Sequence, residues 1–156
     1  MKRIIVVALL GAVWFVVAAA VAWQVQASAD SVRFPDNFAD GVLYTTVTRG
    51  NLKEEIWTSR ATIDAVKAGH PIPSGTVITL VDFRDGKLFR YVVMEKRAGW
   101  GGQYPPDRRN GEWEYQAFNA DRTVNTAKNL DRCFACHKPR AAQDFVHTFE
   151  QMKTAN

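Results

Sequence analysis

Residues 76–96 read TVITLVDFRDGKLFRYVVMEK, and no other stretch says as much about the fold. Thr76 to Arg84 is β-branched and apolar, Lys87 to Lys96 is rich in Tyr, Val and Phe, and Asp85-Gly86 stands between them. Strand, Asp-Gly, strand is the strongest short-range hairpin signal, because a tight hairpin turn needs positive φ at both central residues. Working outward, Gly41 to Thr48 reads as another strand. Glu112 to Phe118 opens in clean alternation and reads as one more, with Trp113, Tyr115 and Ala117 on one face. Thr58 or Ser59 can cap a helix running to Lys67, with Gly69 as its stop and Pro71 beyond. Pro71-Ile72-Pro73-Ser74-Gly75 is a rigid connector, and Arg97 to Gly111, with four Gly and two Pro, is loop. Phe145, Phe149 and Met152 at i, i+4 and i+7 predict an amphipathic helix in the tail. At least four strands in the middle exclude an all-helical bundle. The expected class is α+β, an antiparallel sheet with flanking helices.

The N-terminus is of a different kind. Met1-Lys2-Arg3 is a short positive segment, Ile4 to Trp23 carries no charge, and Ala27-Ser28-Ala29 is a small-x-small pattern before Asp30. These are the three parts of a secretory signal, yet the apolar run is long enough to span a bilayer. Residues 1–29 are therefore either a cleaved signal peptide or a retained N-terminal transmembrane anchor through residues 4–23. Both place residues 30–156, one domain, in the periplasm, soluble after cleavage near Ala29 or held at the inner membrane. The chain of 156 residues carries a formal +4, of which Lys2 and Arg3 supply two, leaving 18 basic against 16 acidic residues. No Lys/Arg block exceeds two residues, so nucleic acid is not an expected partner.

The two cysteines lie in Cys133-Phe134-Ala135-Cys136-His137. C-x-x-C-H is the attachment signature of a single covalent haem c. Two thiols one helical turn apart each form a thioether with a haem vinyl group, and the histidine that follows is the proximal iron ligand. A zinc site would want four ligands, and only His147 and His70 could add to these three, while a dithiol redox pair usually follows the first strand of a βαβ unit. Only 19 residues follow His137, so the haem sits near the C-terminal helices. A second iron ligand could come from His70, His147, Met94 or Met152. The bland reading favours packing for His147 and for both methionines, and exposure for His70. Trp57, Trp100 and Trp113 read as packing, with Trp113 able to reach a haem edge.

The sequence resembles the cytochrome P-460 family. The likeness rests on Lys67-Ala68-Gly69, on Pro71-Ile72-Pro73-Ser74-Gly75-Thr76-Val77, on Gly111-Glu112-Trp113-Glu114-Tyr115, on the haem motif and on Asp144-Phe145-Val146-His147-Thr148. It implies a sheet-rich fold, often a homodimer, with one haem c open on its distal side. In the enzymes of the family a lysine cross-links to the macrocycle and hydroxylamine is oxidised. In the sister cytochromes c-prime-beta, an apolar distal pocket binds gases such as nitric oxide. Counted from Gly75-Thr76-Val77, the cross-linking lysine falls on Leu80, which has no amine, and Lys67 on the preceding helix is a poor substitute.

The distal acid of the enzymes aligns with Glu95 or with Val92. A two-residue Asp85-Gly86 turn pairs Leu80 with Tyr91, and alternation then sets Ile78, Leu80, Tyr91, Val93 and Glu95 on one face. Glu95 is on this reading the catalytic acid opposite Leu80. A bulge in the hairpin would transfer that place to Val92. The expected function is an exported mono-haem cytochrome that binds a small gaseous or nitrogenous ligand, or acts on one as an oxidoreductase, at a vacant distal site. The alternative is an electron-transfer cytochrome, or a haem subunit of a membrane redox complex, with an unidentified redox partner protein.

Overall fold

The computed structural model of the chain describes residues 32–156. The candidate signal or anchor, residues 1–29, lies outside them. Among the described residues no helix is long and apolar enough to cross a membrane.

Five strands form one antiparallel sheet in sequence order: β1 (Val42–Arg49), β2 (Leu52–Thr58), β3 (Val77–Arg84), β4 (Lys87–Lys96) and β5 (Trp113–Asn119). Antiparallel neighbours need only tight turns, and Gly50 and Gly86, both at positive φ, supply two of them at the same end of the sheet. Helix α1 (Arg60–Lys67) links β2 to β3. Ser59 caps it, its hydroxyl accepting from the Thr62 N–H at 3.1 Å, and Gly69 at φ +77° ends it. Near the C-terminus come α2 (Asp131–His137), a 3-10 segment (Lys138–Gln143) and α3 (Phe149–Thr154). The expected α+β class and antiparallel sheet hold.

Three local expectations change. The sequence pattern does not predict β2, because Lys53-Glu54-Glu55 breaks its alternation, and the charges pair with one another and with Arg49. Residues 97–111 are not all loop, since Trp100–Gln103 forms a 3-10 turn. The tail helix begins at Phe149 rather than at Phe145, because Asp144 and Phe145 both adopt left-handed backbone, φ +51° and +60°. Such a conformation is costly for an aromatic residue and interrupts any helix.

Side chains of the two sheet faces pack into two separate cores. One joins Ile56, Ile78, Met94, Trp113 and Tyr115 to Ile63 and Val66 of α1, Phe134 of α2 and Met152 of α3. The other joins Val81, Tyr91, Val93 and Phe118 to Val32 and Trp100, with Phe34, Phe38 and Trp57 against them. The C-terminal segments are tied over the first face. Tyr44 and Thr148 share a 2.6 Å hydrogen bond, Lys67 donates to the Ala155 carbonyl at 2.8 Å, and Lys96 pairs with Asp144 at 2.6 Å.

Candidate functional site

The first face carries side chains in rows, one from each of β2 to β5. Thr58, Ile78, Met94 and Tyr115 form one row. Ile56, Leu80, Val92 and Ala117 form the next, and Glu54, Asp82, Arg90 and Asn119 the third, nearest the tight turns. Helix α2 lies over the Tyr115 end: the Tyr115 ring is 4.8 Å from that of Phe134 and 5.0 Å from that of His137. Arg108 forms an ion pair with Asp131 in the first turn of α2. Between helix and sheet is a cleft of about 360 Å³, bounded by Val47, Ile56, Ile78, Leu80, Val92, Met94 and Val146, with Cys136, His137 and His147 on its helical side.

The geometry of the two histidines separates their roles. His137 Nδ1 lies 2.7 Å from the Phe145 carbonyl oxygen. A carbonyl only accepts, so Nδ1 carries the proton and Nε2 keeps its lone pair for a metal. The strained backbone at Asp144-Phe145 has a purpose here, since the same turn presents the Asp144 carboxylate to Lys96 and to Trp113 Nε1. Burial pushes the His137 imidazole below its ordinary pKa, which favours the neutral ligating form. His147 is committed on both nitrogens: Nε2 donates to the Cys136 carbonyl at 3.1 Å, and Nδ1 accepts from Arg140 Nε at 3.1 Å. It braces the C-x-x-C-H turn and has no lone pair left for iron. His70 is exposed and apart from the cleft, and Met152 is buried in the core. Met94 reaches the cleft, whereas Trp113 packs on Asp144 and is not among the residues bounding it.

Leu80 lies in the cleft, and Glu95 does not. Leu80 pairs with Val92, not with Tyr91, because β4 holds one extra residue. Asp82 pairs with Arg90 and Phe83 with Leu88, which leaves Phe89 bulged and exposed. One inserted residue moves every later side chain of the strand to the other face. The expectation that Glu95 shares the face of Leu80 is therefore corrected: Val92 and Met94 face the cleft, while Glu95 lies on the opposite face, bonded to Arg97 Nε at 2.6 Å. The charged residues that do line the cleft, Arg49 and Glu54, carry no local sequence signal, because the pattern of β2 carries none. A hollow of about 310 Å³ on the opposite face, beside Phe38 and Trp57, has neither cysteine nor histidine around it.

The donor set suits a flat, apolar, iron-bearing group. Cys133 and Cys136 are free thiols one turn apart, His137 has one oriented ring nitrogen, and the facing sheet is aliphatic. Burial raises the pKa of the Cys133 thiol, keeping it neutral and packed against the core. Fold and site together define a class: an α+β domain whose C-terminal C-x-x-C-H helix closes a slot over one sheet face. The Cytochrome P460 family model matches residues 23–148, and the chain belongs to that family, which implies a haem cofactor. No curated protein matches the chain.

Proposed function

We propose that the chain is an exported c-type cytochrome that holds one covalent haem c through Cys133 and Cys136, with His137 as proximal ligand, and takes a small neutral ligand such as nitric oxide opposite His137. The single observation that carries this reading is the His137 Nδ1 bond to the Phe145 carbonyl at 2.7 Å beside an aliphatic cleft. When bound, the haem supplies an iron that changes oxidation state and accepts a diatomic ligand. The Phe145 carbonyl fixes the ring and tautomer of His137 and raises its basicity. Val47, Ile56, Leu80 and Val92 exclude water and offer no charge, which favours nitric oxide or carbon monoxide over ionic substrates. Leu80 lacks the amine that a macrocycle cross-link requires, so hydroxylamine oxidation of the cross-linked kind is not part of this reading. Residues 1–29 would deliver the domain to the periplasm, cleaved or anchored.

Absorption spectra of the reduced holoprotein with and without carbon monoxide or nitric oxide test the ligand site. Bands that move with either gas are expected, and a six-coordinate spectrum unmoved by both would sink it. Mass spectrometry of the denatured chain tests covalent attachment, and a mature N-terminus at Asp30 would decide for cleavage over anchoring. A second reading, electron transfer through six-coordinate iron, draws on Met94, whose thioether reaches the cleft. In that case Met94→Leu would open the iron to carbon monoxide where the parent protein does not bind it.

A further inference from the structure

A haem c is amphipathic along its own plane. The thioethers leave from one edge, and two propionate carboxylates leave from the opposite edge. The cleft has the same polarity. Its Cys136-His137 end lies over the row of Tyr115, and its other end, bounded by Arg49 and Glu54, adjoins Asp82 and Arg90 in the row of Glu54. Four residues of β2 separate the two rows, about 13 Å along the strands, comparable to the span of a porphyrin with its substituents.

Charge at that far end is not balanced. Asp82 is fully buried and saturated, taking Arg84 Nε at 2.9 Å and Arg90 Nε at 3.0 Å. Arg49 Nη2 reaches Glu54 Oε2 at 3.1 Å, and the two line the cleft itself. Three arginines thus face two carboxylates, an excess of one positive charge. Arg49 is also the freest of the three: its side chain is 68% exposed, against 15% for Glu54, and among the described residues Glu54 is its one hydrogen-bond partner. A guanidinium has five N–H donors in a planar fork, so Arg49 can hold Glu54 and a second carboxylate together.

We propose that Arg49 binds a propionate carboxylate of the prosthetic group, with Glu54 positioning its guanidinium. This rests on the covalent haem c reading above. The test uses the full-length holoprotein and its Arg49→Leu, Arg49→Lys and Glu54→Gln variants. It reads the propionate-bending bands of the resonance Raman spectrum and the midpoint potential from pH 5 to 9. Arg49→Leu should shift the propionate bands and lower the potential, since a cation beside the haem disfavours the oxidised, more positive state. Arg49→Lys should restore part of the potential without restoring the bands, because an ammonium gives charge but no fork. Glu54→Gln should raise the potential, since a negative charge is lost, and shift the propionate bands part of the way towards those of Arg49→Leu, since the guanidinium loses its charged anchor. Covalently attached haem with bands and potential unmoved in Arg49→Leu would overturn the proposal and leave the haem reading intact. A chain whose mass shows no attached haem would overturn both.

Discussion

The two faces of the sheet are both apolar, but they are closed by different means. On the face of Tyr91 and Phe118 the protein closes itself: Phe34 meets both rings edge-on, at 4.9 and 5.3 Å, and Phe38 meets Trp57 and Tyr91 at 5.9 and 5.8 Å. On the face of Leu80 and Val92 the middle row holds aliphatic side chains, and the C-terminal segments that cover it bring Cys136, His137 and His147 to the cleft. Aromatic side chains bury the most area each, and on the cleft side Trp113, Tyr115 and Phe134 pack at one end, under the C-terminal segments. The row left to aliphatics, Ile56, Leu80 and Val92, is the one shaped for a flat group that the chain does not encode.

Breaking the cleft face should have the largest effect. In a Cys133→Ser/Cys136→Ser double variant no thioether can form, so the haem mass should vanish from the denatured chain entirely. His137→Ala should keep the mass and lose the proximal ligand, visible as a changed Soret band. Neither change touches the opposite core. Its aromatic signals in near-ultraviolet circular dichroism should survive in the folded fraction, and their collapse would show the two faces to be one cooperative core.

The reverse experiment is Phe118→Ala. Phe118 is 2% exposed and packs on Phe34 across the far face. Truncating it should cost about 3–5 kcal/mol in denaturant titration, with haem absorption unchanged below the transition. A shifted Soret band there would mean that the far face shapes the cleft.

How much of this difference is legible in the sequence follows from its physics. The C-x-x-C-H helix and the Asp85-Gly86 hairpin are local, set by spacing and turn chemistry over a few residues. The phase of β4 is not local. Tyr91, Val92, Val93 and Met94 are apolar in succession, so no polar residue among them reports which face is which. The bulge at Phe89 decides it through pairing with β3. β2 is hidden because Lys53-Glu54-Glu55 puts charge on both faces of the strand: Glu54 pairs with Arg49 on the cleft side, and Lys53 with Glu55 on the other. The Phe145 carbonyl that orients His137 depends on backbone angles that spacing does not encode.

That carbonyl gives a prediction of intermediate size. Gly111 has φ +58°, and a Cβ there would meet the Phe145 ring at 3.0 Å. Gly111→Ala should therefore cost about 1–3 kcal/mol in backbone strain. It should also displace Phe145 and lower the iron–histidine stretching frequency of the reduced protein as the His137 hydrogen bond weakens. A loss of stability with that band unmoved would confine Gly111 to the fold.

The smallest effect belongs to Glu95, and it bears most directly on the contrast between the faces. Its side chain is 8% exposed and its partner Arg97 is half exposed, so Glu95→Gln removes one charge-assisted bond while Arg97 can turn to water. The cost should be about 1 kcal/mol in denaturant titration. Carbon monoxide and nitric oxide affinities should stay at parent values, because Glu95 stands on the far face beside Val77 and Val93. Moving a carboxyl three residues back reverses the outcome. Val92→Glu would place it in the aliphatic row beside Leu80, where burial holds it protonated and it crowds the ligand, weakening carbon monoxide binding by about tenfold or more. If Glu95→Gln changed gas affinity and Val92→Glu did not, the register through Phe89 would be wrong, and with it the assignment of the aliphatic face to the ligand.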